Sequence, residues 1–221
     1  LGHAPRDRGA RHARRARGRR SRYVATRMRR LCVFCGSSTG TGPAYADAAR
    51  DVAAQLVRRR IGLVYGGGGI GLMGILADAV LAGGGEVVGV IPRPLATKEI
   101  AHAGCTELRV VGSMHERKAM MAELSEGFLA LPGGLGTFEE LLEMLTWTQL
   151  GVHVKPVGAL DVGGYWAGLR RLLTDGVEAG FVKPHNADAL LVDDDPARLL
   201  DRLATWSAPE HPRLWLRPDE T

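Results

Sequence analysis

The stretch FLALPGGLGTFEELLEML at residues 128–145 decides the fold. It opens with four apolar residues, Phe128–Leu131, the length and texture of a strand buried on both faces. Pro132, Gly133 and Gly134 break that run. Phe138, Leu141, Leu142 and Leu145 then recur at i, i+3, i+4 and i+7, the period of an amphipathic helix. A buried strand passing through a glycine turn into a helix is half of a βαβ unit.

Working outward, the same alternation fills the chain. Apolar runs at Leu31–Cys35, Ile61–Tyr65, Glu86–Ile91, Leu108–Val111 and Pro156–Leu160 predict further strands. Tyr45, Ala49, Val52 and Leu56 predict a helix between the first two, and helical patterns recur over about 70–82, 113–124, 164–174 and 196–206. This order predicts a single α/β domain over residues 30–206: a Rossmann-like, doubly wound parallel sheet with helices on both faces. Residues 207–221, with Pro209, Pro212 and Pro218, read as an irregular C-terminal tail.

The formal charge of +5 is unevenly spread. Residues 1–30 hold 12 basic side chains and a single acid, Asp7, while the remaining 191 residues carry 17 basic and 23 acidic ones, a net −6. A mildly acidic body excludes reading the whole chain as a nucleic-acid-binding domain. Residues 1–29 lack any apolar period and read as a disordered basic extension, with a nucleic-acid or anionic-surface arm as the alternative. No apolar run approaches the roughly 18 residues of a membrane span. Three cysteines, Cys32, Cys35 and Cys105, point to a reducing, cytoplasmic setting, and Cys32-x-x-Cys35 lies within a strand pattern, where packing rather than redox chemistry is expected. The seven histidines show no ligand spacing with acids or cysteines, so no metal is expected.

In doubly wound sheets, ligands sit beyond the carboxyl ends of the strands. Three junctions there are rich in glycine or hydroxyls. Gly36, Ser37 and Ser38 follow the first strand and offer either an anion contact or plain helix capping. Gly66–Gly69 follow the second. The G-x-G-x-x-G pattern occurs there twice, but the acid of a dinucleotide site would fall near Ile91 and Pro92, so a phosphate or ribose fits better. The third junction, Pro132–Glu140, has no Walker lysine and would hold an anion through backbone N–H groups at a helix start.

Two side chains near these loops are ambiguous. Thr137 and Glu140 form a T-x-x-E capping box, in which Glu140 would only cap its own helix. Ser113 and Glu116 form a second box, and behind it Met114, Arg117, Met121 and Leu124 share one helix face. Arg117 on an inward stripe needs a carboxylate or a bound anion; an exposed Arg117-Lys118 pair is the alternative.

These pieces together resemble the LOG ("lonely guy") family of cytokinin riboside 5′-monophosphate phosphoribohydrolases. The resemblance is carried by CVFCGSS at 32–38, YGGGGIGLMG at 65–74, MHERK at 114–118, PGGLGTFEE at 132–140, TWTQLG at 146–151 and KPVGAL at 155–160, and it covers nearly all of residues 30–206. It implies hydrolysis of the N-glycosidic bond of an N6-modified AMP, or of AMP, to free base and ribose 5-phosphate, without a cofactor. It also implies that Arg117 and Glu140 are the catalytic pair. Gly133, Gly134, Leu135, Gly136, Thr137 and Phe138 would carry the phosphate loop; Gly36, Ser37, Gly67, Gly68, Glu99, Lys118, Glu139 and Thr146 would line the rest of the nucleotide site. Family members are homodimers or larger, and Trp147 and Leu150 are either candidates for the contact or plain core.

That chemistry suits these residues. Riboside cleavage builds positive charge on the sugar. A carboxylate at Glu140 would stabilise that charge, hold the hydroxyls or orient water; Arg117 would stabilise the departing purine or keep Glu140 ionised. The alternative is a non-catalytic nucleotide or molybdenum-cofactor carrier on the same fold, which needs the glycine cradles but not the Arg117 and Glu140 pair. A lysine decarboxylase finds no support in the four lysines, Lys98, Lys118, Lys155 and Lys183, none of which has a pyridoxal-phosphate setting.

Overall fold

A computed structural model describes residues 28–96 and 100–207. The basic extension over 1–27, Glu99 and the tail from 208 onward lie outside the described residues. The elements follow in the order β1 (Arg30–Phe34), α1 (Pro43–Arg59), β2 (Gly62–Tyr65), α2 (Gly71–Ala82), β3 (Val87–Pro92), β4 (Glu107–Val111), α3 (Met114–Glu123), β5 (Phe128–Ala130), α4 (Leu135–Leu150), β6 (Val157–Leu160), α5 (Ala167–Glu178), α6 (Pro184–Ala187), β7 (Leu190–Asp193) and α7 (Pro196–Thr205).

The seven strands form one sheet in the order β4-β3-β2-β1-β5-β6-β7, every pairing parallel. Strand side chains alternate between two cores, as a period of two requires. Leu31, Val33, Leu63 and Tyr65 pack with α1, α2 and α7; Cys32, Phe34, Val64 and Phe128 pack with α3, α4 and Trp166 on the other face. Cys32 and Cys35 therefore enter opposite cores as buried free thiols. Burial pushes both thiols up from their ordinary value, so neither is a reactive thiolate.

The six expected strands are present. A seventh, β7, and the one-turn α6 had not been expected. The β7 strand is a four-residue edge strand, mostly half-covered, and its short apolar run beside Asp193, Asp194 and Asp195 has no distinguishing period. The fifth helix begins at Ala167 rather than 164 and runs on to Glu178.

Strand order reverses at β1, whose neighbours are β2 and β5. The chain leaves β1 toward α1 on one face and leaves β5 toward α4 on the other, so the two loops diverge and open a crevice. They touch at its base, where the Gly36 N–H donates to the Pro132 carbonyl at 3.2 Å.

Candidate active site

The helix α4 starts three residues earlier than its capping-box pattern suggests. Its N-cap is Gly134, with no side-chain cap, which places Thr137 inside the first turn. The N–H groups of Leu135, Gly136 and Thr137 thus lack intrahelical acceptors and face the crevice end of the helix with its positive dipole. Thr137 is buried, and its hydroxyl lies over Gly133: a Cβ on Gly133 would come within 2.1 Å of Thr137 Oγ1. Tyr165 donates its phenol O–H to the Gly133 carbonyl and so tethers the loop from the far side. Tyr165 carries no motif, and nothing in the sequence singled it out.

Freed from capping, Glu140 is 7% exposed and accepts a 2.8 Å hydrogen bond from Arg117 Nη1. The capping-box reading of Glu140 is thereby corrected. Of the stripe that pointed Arg117 inward, Met121 and Arg117 are covered, but Met114 is exposed at the helix start. The Ser113 cap does form, its hydroxyl accepting from the Glu116 N–H at 3.1 Å, while Glu116 reaches past the cap to accept from the Gly112 N–H at 2.7 Å.

The guanidinium of Arg117 is fixed on three sides. Its Nε donates to the Val90 carbonyl within β3 at 3.0 Å, its Nη1 holds Glu140, and its Nη2 lies against Gly66. A Cβ on Gly66 would meet Nη2 at 2.1 Å, so that glycine exists to let the arginine in. Gly66→Ala is expected to lower the melting temperature, since the obstructed guanidinium is held by Val90 and Glu140 and moving it leaves a buried carboxylate unpaired. Displacing Arg117 from Glu140 should also cost about tenfold or more in turnover, because effects of misplacing a positioned group reach about 100-fold. A variant with the parent's kcat would contradict this role of Gly66.

Burial pushes the Glu140 carboxyl up; the charge and hydrogen bond of Arg117 oppose that push without cancelling it, so its pKa stays above the ordinary carboxylate value. Its second oxygen has no partner among the described residues. A paired, buried carboxylate beside a bare helix start can hold an anion at one end of a ligand and face developing positive charge at the other.

The neighbouring cation behaves differently. Lys118, 5% exposed, is bonded to Glu139 and, at 3.0 Å, to Glu143. Burial pulls its amine down, yet the two carboxylates outweigh burial and hold it above its ordinary value. Neither an exposed Arg117-Lys118 pair nor two equivalent cations is observed.

The remaining expected positions scatter. Ser37 is exposed beside the crevice, whereas the Gly36 N–H is already committed to Pro132. Gly67 and Gly68 are buried under residues 100–102: the Gly67 carbonyl accepts from the His102 N–H at 2.9 Å, and Gly68 bridges to Ala101. The Phe138 ring turns into the core against Trp166, 5.7 Å between centroids. Leu135 stands 83% exposed at the crevice rim. Thr146 is solvent-facing and donates to its own helix's Leu142 carbonyl at 2.8 Å.

Fold and site together define a Rossmann-like α/β protein with a backbone anion cradle and a buried Arg–carboxylate pair at its switch point. The family described as "Possible lysine decarboxylase" matches residues 73–203. The chain is 49% identical over 183 residues to cytokinin riboside 5′-monophosphate phosphoribohydrolase LOG5 of Arabidopsis thaliana, covering 83% of this chain and 80% of that one. It is 50% identical over 189 residues to a protein of Oryza sativa subsp. japonica named "Probable cytokinin riboside 5'-monophosphate phosphoribohydrolase LOGL3", covering 86% and 89%. Among solved structures, a molybdenum cofactor binding protein from Rippkaea orientalis superposes with a TM-score of 0.59 at 18% identity, covering 78% of this chain and 93% of that one. The chain belongs to the LOG family of cytokinin riboside 5′-monophosphate phosphoribohydrolases.

Proposed function

We propose that this protein hydrolyses the N-glycosidic bond of cytokinin riboside 5′-monophosphates, releasing the free base and D-ribose 5-phosphate. The observation that carries the reading is the buried Arg117–Glu140 pair beside the uncapped start of α4. Relatives near 50% identity named for that activity support it. The molybdenum-cofactor neighbour, at 18% identity, speaks for the fold alone.

In this reading the N–H groups of Leu135, Gly136 and Thr137 hold the 5′-phosphate, with Gly133, Gly134 and the Ser37 hydroxyl completing the cradle. Anchoring the phosphate sets the ribose against Glu140, so binding energy from a part that does not react positions the bond that breaks. The free oxygen of Glu140 faces the sugar and stabilises positive charge as the base departs. All three sides of Arg117 are occupied within the protein, which favours its role in holding and ionising Glu140 over direct contact with the purine. Lys118 and Glu139 line the nucleotide site, with Glu99 and Thr146 as further substrate contacts.

A homodimer fits the exposed apolar side chains of Met114, Leu135 and Leu142. Of the two readings of Trp147, contact or core, its packing against the core beside His153 favours the second. Three free cysteines suit a cytoplasmic setting. Among the described residues no helix is long and apolar enough to cross a membrane.

The test is incubation with N6-isopentenyladenosine 5′-monophosphate, AMP and their unphosphorylated ribosides. The monophosphates are expected to release base and ribose 5-phosphate, and the ribosides to be cleaved at least about 100-fold more slowly, the scale of an anchoring contribution. Equal cleavage of ribosides and monophosphates would show that the phosphate does not anchor the substrate.

A further inference from the structure

We infer that Glu143 is a positioning residue: it holds Lys118 in place when Glu139 turns to the substrate. The inference rests on the phosphoribohydrolase reading and extends it to a residue outside the family motif.

Glu139 and Glu143 are one turn apart on α4 and both reach Lys118 Nζ, which comes across from α3. Their surroundings differ. The Glu139 side chain is half-exposed, whereas Glu143 is largely covered. Glu143 Oε1 sits 3.0 Å from Nζ, and its Oε2 is buried without a hydrogen-bond partner among the described residues.

Charges in this cluster do not balance. Arg117 and Lys118 face three carboxylates, Glu139, Glu140 and Glu143, and Glu140 is already taken by Arg117. One carboxylate is therefore spare beside Lys118. If Glu139 were the sole partner, drawing it to a ribose hydroxyl would strand a buried ammonium, which is strongly unfavourable. With Glu143 in place the ammonium keeps a carboxylate throughout. It has three N–H donors, so the unpartnered Oε2 can take up the bond that Glu139 gives away. Glu143 is the constant partner and Glu139 the exchangeable one. Glu139 then reaches a ligand without cost to Lys118, and Lys118 stays fixed and charged at the site wall.

The experiment combines Glu143→Gln and Lys118→Met, both close in shape to the native side chains, in the full chain. The AMP dissociation constant, KM, kcat and melting temperature are measured for each single variant and for the double. Glu143→Gln is expected to weaken AMP binding and raise KM by about tenfold, with kcat within about twofold and the melting temperature retained. In the Lys118→Met background the same change should have no further effect on binding, since Glu143 acts through Lys118. An AMP affinity within twofold of the parent overturns the inference. So does an equal loss with Lys118 already removed, or a loss confined to kcat and melting temperature, which marks a purely structural residue. Failure of the activity reading shows separately: a parent chain that binds AMP but turns over no monophosphate refutes hydrolysis, while the binding comparison still decides the role of Glu143.

Discussion

Glu140→Gln is expected to lower kcat by about 1,000-fold while AMP still binds, within the range that single acid–base or electrostatic groups contribute. The amide keeps the shape of the carboxyl and an oxygen acceptor for Arg117 Nη1, so the α3–α4 contact should hold. What disappears is the negative charge facing the sugar. The phosphate cradle at the start of α4 lies one turn away and is built from backbone, so calorimetric AMP affinity should change by no more than about threefold. Base release under single-turnover conditions measures the first quantity and titration the second. Turnover within tenfold of the parent would return Glu140 to a structural part and favour a carrier over an enzyme.

Arg117→Met should lower kcat by about 100-fold and also move the pH profile, which makes it the more informative change. Glu140 must be ionised to act, so kcat/KM rises with pH as its proton leaves. Burial already sets that pKa above the ordinary carboxylate value, and Arg117 restrains it. Without the guanidinium the restraint is gone and the pKa goes higher. The acid limb of the profile should therefore shift toward higher pH, and in the Glu140→Gln background that limb should vanish. A shift toward lower pH, or none, would separate Arg117 from the ionisation of Glu140 and return it to the departing purine.

Much of this architecture is legible along the chain. The strand at Phe128, the helix through Leu141 and Leu145 and the glycine turn between them are local patterns, and local patterns survive whatever packs against them. The buried edge of the site was less legible. Gly67 and Gly68 looked like ligand contacts because four successive glycines permit close approach, yet the approaching group is the chain itself at 100–102. Gly66, which opens one of the two G-x-G-x-x-G matches, is the one that admits Arg117. Phe138 sits within the motif but packs in the core, because a residue at the fourth position of α4 turns toward the sheet.

By itself, the sequence determined the fold class, the three junctions that gather at one end of the sheet and the choice of Arg117 and Glu140 as residues in need of explanation. Periodicity, turn chemistry and charge segregation act over a few residues, and the basic first 30 positions could be set apart from an acidic body by counting alone. Tertiary structure decided who partners whom. A T-x-x-E pattern is compatible with a cap or with an ion pair. The outcome turned on α4 starting at Leu135 and on α3 lying close enough for Arg117 to reach across 23 positions of chain. The same packing gave Lys118 two carboxylates instead of one and left an oxygen of Glu143 buried without a partner. Long charged side chains find their partners through the register between helices, and that register is set by the apolar side chains packed beneath them.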